Sequence, residues 1–184
     1  KPLIEADASD PKVRGDVDAF LKDYPDHPAG ARLQVALARA DVKDGNLADA
    51  RDRLQALWDA GVVDSEKQQV ADLLGEVNLS LLYSPTPAPG EKVIELAQGQ
   101  FLYDIARENS VPLDLLTEVN QIKDPRRLRI GQRIRIPSIQ FSLLCDKESN
   151  TLTVYDRGRF FKQYPVRTGR TPDSTPTGEF KVGN

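Results

Sequence analysis

The 184 residues carry 28 acidic and 25 basic side chains, with 39% hydrophobic and 29% charged positions. That balance fits a folded globular chain and excludes wholesale disorder. No apolar run approaches the roughly 18 residues of a spanning helix, so no membrane span is expected. A single cysteine, Cys145, excludes an internal disulfide, and with one histidine, His27, the soft ligands are too few for a structural zinc site. No metal and no cofactor are expected. Many exported proteins lack disulfides, so cysteine usage leaves the compartment open. A chain that opens at Lys1 and has no methionine fits a processed start from which a signal peptide has been removed.

Charge is uneven along the chain. Residues 1–83 hold 16 acidic and 10 basic side chains, 84–138 hold 7 and 8, and 139–184 hold 5 and 7. Such asymmetry supports separate units with separate partners.

The first segment, 1–83, reads as four helices. Asp10-Pro11 offers an N-cap and a first-turn proline, and Val13, Val17, Phe20, Leu21 and Tyr24 follow at helical spacing. Tyr24-Pro25-Asp26-His27-Pro28 ends that helix. A second carries Leu33, Ala36, Leu37 and Ala40 to about Lys43, where Asp44-Gly45-Asn46 breaks it. Asn46 is placed to cap a third helix with Leu47, Ala50, Leu54, Leu57 and Trp58, stopped by Gly61; Asp64 or Ser65 opens a fourth with Val70, Leu73, Leu74, Val77 and Leu81. Short connections make these a helical hairpin array. Leu37, Ala38, Gly45, Ala50 and Leu54 resemble the spacing of a tetratricopeptide repeat, although Asp41 stands where an aromatic residue is expected. A true repeat and a generic bundle both remain open, and either surface suits a protein partner.

Ser84-Pro85-Thr86-Pro87-Ala88-Pro89-Gly90 resists helix and sheet and favours an extended spacer, which marks 84–90 as a linker. Over 91–137 the pattern becomes strand, helix, helix, strand. Ile94 and Leu96 precede the turn Gly99-Gln100; Leu102, Ile105 and Ala106 mark one short helix, and Leu113, Leu115, Leu116 and Val119 another. Leu128, Ile130, Ile134 and Ile136 then alternate with Arg127, Arg129, Arg133 and Arg135 around Gly131. This order, with Asn120 at the second helix end and Gly131-Gln132 before Ile134, Ile136 and Pro137, resembles the LysM module. The resemblance implies a βααβ fold that binds N-acetylglucosamine-containing glycans such as peptidoglycan or chitin. It places the groove at Gln100, Phe101, Leu102, Ile122, Lys123, Asp124, Pro125 and Arg126. Sugar rings need apolar faces and polar donors, which short loops supply. Phe101 stands where the family has a small polar residue, and it could stack on a sugar or plug the groove. The arginines from Arg126 to Arg135 are explained as the solvated face of an edge strand, with no nucleic acid as partner.

From Ile139 onward the chain reads as antiparallel β. Ile139, Phe141, Leu143 and Cys145 alternate with polar neighbours; Leu152, Val154 and Tyr155 lead to the hairpin signal Asp156-Arg157-Gly158-Arg159, and Phe160, Phe161, Tyr164 and Val166 return. After a polar loop from Thr168 to Thr177, a last strand is expected at Phe180 and Val182. The alternation predicts a buried, inert Cys145. Asn150 to Tyr155, Tyr164 to Gly169 and Thr175-Pro176-Thr177-Gly178-Glu179-Phe180 resemble, in order and spacing, the opening of the L,D-transpeptidase (YkuD-like) domain. The resemblance implies crosslinking of peptidoglycan stem peptides by a cysteine nucleophile. The family's histidine and Ser-x-Gly-Cys-x-Arg block lie downstream of these blocks, beyond Asn184. No catalytic residue is therefore carried over to this chain, which is expected to be inactive alone. Thr171 to Gly178 lacks the glycine spacing and lysine of a phosphate loop, and Asp26-His27 reads as a solvated turn.

The expectation is a multi-domain α+β chain: a helical hairpin array over 1–83, a linker over 84–90, a LysM module over 91–137 and an incomplete antiparallel β segment over 138–184. Its function would be that of the N-terminal part of an exported bacterial L,D-transpeptidase-like protein, periplasmic or cell-wall associated, whose partners are peptidoglycan glycan strands and stem peptides. The alternative is a non-catalytic cell-wall-associated scaffold. The short terminal sheet is expected to pair with another copy, with the LysM unit or with further chain.

Overall fold

A computed structural model of the chain describes residues 8–25, 27–62, 64–88, 90–169 and 174–182. Six helices and two small antiparallel sheets make it a mixed α+β protein. The helices of the first segment are α1 (Pro11–Asp23), α2 (Gly30–Lys43), α3 (Leu47–Asp59) and α4 (Asp64–Leu82). Asp10 caps α1 by accepting from the Lys12 amide at 2.8 Å. Asn46 occupies the N-cap of α3, but its side chain makes no capping bond; its backbone carbonyl accepts from Ala50 N instead. Gly61, at φ +74°, turns the chain after α3.

Two apolar clusters fill this unit. Val17 of α1 meets Leu33, Leu37 and Ala40 of α2. Ala38, Ala50, Leu54, Val70, Leu74 and Val77 join α2, α3 and α4. Full burial of an aliphatic side chain contributes roughly 1.5–3 kcal/mol, so these contacts, more than helix propensity, hold the helices. Asp41 is 1% exposed, and its carboxylate receives guanidinium groups from Arg14 and Arg53. The position where an aromatic residue was expected therefore holds a satisfied buried charge.

The middle unit runs β1 (Lys92–Glu95), α5 (Leu102–Glu108), α6 (Leu113–Val119) and β2 (Arg133–Ile136). β1 and β2 pair antiparallel, Ile94 opposite Ile134, and Leu96, Leu102, Ile105, Ala106, Leu116, Ile134 and Ile136 form its own core. Asn120 holds β2 to the end of α6: it accepts from Arg135 N at 2.7 Å and donates to Arg135 O at 2.8 Å.

Two features of the arginine-rich stretch differ from the alternating pattern. Ile130 lies in the turn before β2 and is 70% exposed, while Arg135 is 5% exposed. Arg135 can be buried because four of its five guanidinium N–H groups find acceptors. It forms a two-pronged ion pair with Glu91, Nη2 to Oε1 at 2.9 Å, and Nη1 donates to Leu82 O at 3.0 Å and Ser84 O at 2.6 Å. The proline-rich segment is correspondingly tied down rather than a free spacer, since Ala88 N also donates to Glu91 Oε2.

The last unit is a sheet of β3 (Phe141–Asp146), β4 (Thr151–Asp156) and β5 (Arg159–Pro165) in that order. β5 lies against α3 and α4. Phe160 is 3% exposed, its ring is 4.2 Å from that of Trp58, and Asn78 Nδ2 donates to Phe160 O and Phe161 O at 3.2 and 2.9 Å. A Cβ on Gly75 would come within 3.0 Å of the Lys162 stem, so glycine permits this approach.

Three readings of the last segment are corrected. Every residue of β3 is exposed, Cys145 included, because no strand among the described residues pairs with its outer edge and its Phe141 and Leu143 face an open cavity in front of Leu79 and Leu82 of α4, not a packed core. The strand begins at Phe141, not Ile139. The stretch around Phe180 and Val182 forms no strand; it has no ladder partner among the described residues, and the two side chains are 72% and 86% exposed.

Candidate functional site

The most concave feature of the middle unit lies between its two long loops. In the first loop Gly99, at φ +80°, lets the chain reverse. Gln100 closes the turn through its side chain, which accepts from Ala97 N at 3.0 Å. Phe101 then sits in extended backbone at the N-cap of α5, with its carbonyl accepting from Ile105 N. The backbone thus points the chain into the helix while the ring remains 68% exposed. Leu102, the next residue, turns inward and is 2% exposed.

The second loop follows α6. Asp124 shapes it by accepting from Arg126 N at 3.0 Å and from Arg127 Nε at 3.3 Å. The two loops are stitched by main-chain bonds, Gly131 N to Leu96 O at 2.8 Å and Leu96 N to Gln132 O at 2.9 Å. Between them is a cavity of about 430 Å³. Gln100, Phe101, Leu102, Pro125 and Arg126 line it. Ile122, Lys123 and Asp124 do not: Ile122 packs against the core of the unit, Asp124 is engaged in folding its loop, and Lys123 is solvent-exposed.

Seven wall residues were not foreseen, and two of them are large and exposed. Tyr103 is 60% exposed and Ile130 70%, and both face the cavity. Tyr103, two residues after Phe101 at the first turn of α5, carries a readable signal, being a large aromatic at a helix start. Ile130 was masked by an alternation that continues into β2 and made it look inward. The guanidinium of Arg107 lies 5.8 Å from the Tyr103 ring centroid and supports that wall from below. Aromatic and aliphatic faces beside an amide and a guanidinium are the mixture that holds a sugar ring by its C–H face and its acetamido or hydroxyl groups.

Comparison with known proteins bears on this unit directly. Residues 96–137 are a LysM domain. The LysM match spans both loops, so the cavity belongs wholly to it. In a second comparison, a protein of Bacillus licheniformis that bears the name L,D-transpeptidase YkuD is 28% identical over 96 residues, covering 49% of this chain and 58% of the relative. The chain thus spans less than two thirds of that relative's length. No solved structure matches.

The remaining chemistry-bearing residues form no second site of that kind. Cys145 is exposed on β3, and among the described residues neither histidine nor arginine is bonded to it. The Nδ1 atom of His27 accepts from Ala29 N at 3.1 Å and its ring meets Phe20 edge-on at 5.0 Å, while Asp26 lies outside the described residues. Among the described residues no three His, Cys, Asp or Glu side chains are grouped to hold a metal, and no helix is long and apolar enough to cross a membrane. Of the 171–178 loop, residues 171–173 lie outside the description; Thr175 holds the rest by accepting from Gly169 N and Lys147 Nζ.

Proposed function

We propose that this protein binds peptidoglycan glycan strands at the cell wall, through the cavity between the β1–α5 and α6–β2 loops of its LysM domain. The observation that carries this reading is the coincidence of the LysM match with a cavity walled by exposed Phe101, Tyr103 and Ile130 and edged by Gln100 and Arg126. Phe101 stacks on the sugar in this reading, because its ring stands out from the loop and does not fill the cavity. The sheet β3–β5 belongs to an L,D-transpeptidase-like unit, supported by the Bacillus licheniformis relative. Glycan binding beside such a unit raises the effective concentration of stem peptides on the same polymer. The arrangement fits an exported bacterial protein with units at 1–83, 91–137 and 138–184 joined through 84–90.

Sedimentation with purified peptidoglycan tests the groove. Changing Phe101 and Arg126 together to alanine should weaken binding by at least about tenfold, roughly the loss of one good contact. Wild-type binding by that variant would overturn the assignment.

A further inference from the structure

A second cavity, of about 380 Å³, lies where the three units meet, between α3 and the end of α4, the segment leading into β1, strand β2 and the β4–β5 turn. It shares no residue with the LysM groove. Four arginines line it, Arg51, Arg135, Arg157 and Arg159, against two carboxylates, Glu91 and Asp156. Both carboxylates are already engaged. Glu91 is bidentate to Arg135, and Asp156 accepts from Gln140 N at 2.7 Å.

With the Arg135–Glu91 pair set aside, three arginines stand against the one remaining carboxylate, Asp156, which leaves the cavity wall net positive. Arg51 leans on its sequence neighbour Asp52 at the surface. Arg157 donates only to the neutral hydroxyl of Ser138, and Arg159 has no ion-pair partner among the described residues. The turn adds an independent sign. Arg157 and Gly158 have φ of +50° and +79°, a two-residue hairpin turn whose first position favours Asn or Gly. An arginine there holds an unfavourable backbone conformation, and what it provides in return is a guanidinium at the cavity.

We propose that this inter-unit cavity binds an oxyanion, carried as a carboxylate or a phosphate on a larger molecule. Guanidinium groups recognise both by paired, charge-assisted hydrogen bonds, and a concave wall with a net positive charge concentrates such ligands. Its volume admits a group well beyond a single small ion. The helical unit has a cavity of opposite character, where Asp18, Asp41, Asp49 and Asp52 outnumber Arg14 and Arg53, so anions are directed to the junction and not to the helices.

The test titrates the full chain, at low salt, with glutarate and separately with inorganic phosphate, following the arginine Nε–Hε signals by NMR. At least one probe should bind saturably, shift the signals of Arg51, Arg157 and Arg159, and weaken as sodium chloride is added. Saturation by glutarate alone identifies a carboxylate ligand; saturation by phosphate identifies a phosphate. Arg157→Asn suits the turn better than arginine does, and together with Arg159→Gln it should loosen binding at least about tenfold without unfolding the sheet. Peptidoglycan sedimentation by the same variant should be unchanged, which separates this cavity from the LysM groove. No saturable shift with either probe, or equal affinity in the variant, would overturn the proposal.

Discussion

The LysM domain and the β3–β5 sheet both dock onto α4, and they do so by opposite chemistry. At the end of the helix, Arg135 brings a charge into the junction and pairs it with Glu91 and the carbonyls of Leu82 and Ser84. One turn earlier on α4 the Asn78 amide is the polar tie of the sheet, whose Phe160 packs against Trp58 of α3. An ion pair fixes position sharply but contributes little net stability, since desolvation offsets attraction; an apolar contact stabilises in proportion to area and tolerates small shifts. The difference teaches that the LysM domain is oriented by a directional polar contact, while the sheet is attached by burial.

The largest effects should appear at the polar junction. Glu91→Gln leaves the Arg135 guanidinium buried without its counter-charge and should cost about 3–5 kcal/mol in denaturant unfolding. Replacing both partners, Arg135→Met with Glu91→Leu, should cost less, about 1–3 kcal/mol, because only the carbonyls that Arg135 served go unmet. If the double variant were as unstable as Glu91→Gln, the contact would hold the units by apolar packing of the arginine stem, and the contrast between the two docking modes would fail.

At the sheet the order should reverse, with the apolar member dominant. Phe160→Ala should destabilise by about 3–5 kcal/mol through the cavity it leaves beside Trp58. Asn78→Ala should cost only about 1–3 kcal/mol for the two carbonyls left without a donor. Equal costs for the two variants, measured in the same unfolding experiment, would make this junction polar as well.

The two regions were also unequally legible in sequence, for a physical reason. Alternation reports which residues of a strand share a face; it does not report what covers that face. In the LysM domain the helices that cover Ile134 and Ile136 are adjacent in the chain, so their own periodicity completed the picture. β3 shows similar alternation at Phe141, Leu143 and Cys145, yet α4 leaves an open cavity before Phe141 and Leu143 and packs no core against them, and the buried cysteine expected there is exposed. Arg135 failed in the other sense. A charge at an alternating position reads as solvated, and its burial depends on Glu91, 44 residues away, and on carbonyls that end a helix in another unit. In the groove, Gln100, Phe101, Leu102, Pro125 and Arg126, named from the resemblance to the LysM module, line the cavity. Ile130 was not named, because its apolar character pointed to a core it does not enter.

The start of α4 provides the gentlest handle on the comparison, through pH. Glu66 is 6% exposed; its carboxylate accepts from the Ser65 hydroxyl and from Arg32 Nε of α2, the latter at 2.9 Å. The Ser65 hydrogen bond, then that of Arg32, holds its pKa below the ordinary 4.5. A carboxyl whose folded pKa is depressed binds protons less readily than it does in the unfolded chain, so its contribution is present above about pH 4.5 and is lost as pH falls through the lower folded value. Glu66→Gln should therefore unfold at lower urea than wild type at pH 7, and the two midpoints should converge as the solution is acidified below pH 4.5. A gap that persisted undiminished at the acid end would show that Glu66 holds α4 to α2 by shape, and that the charged anchoring of this helix is confined to its Arg135 end.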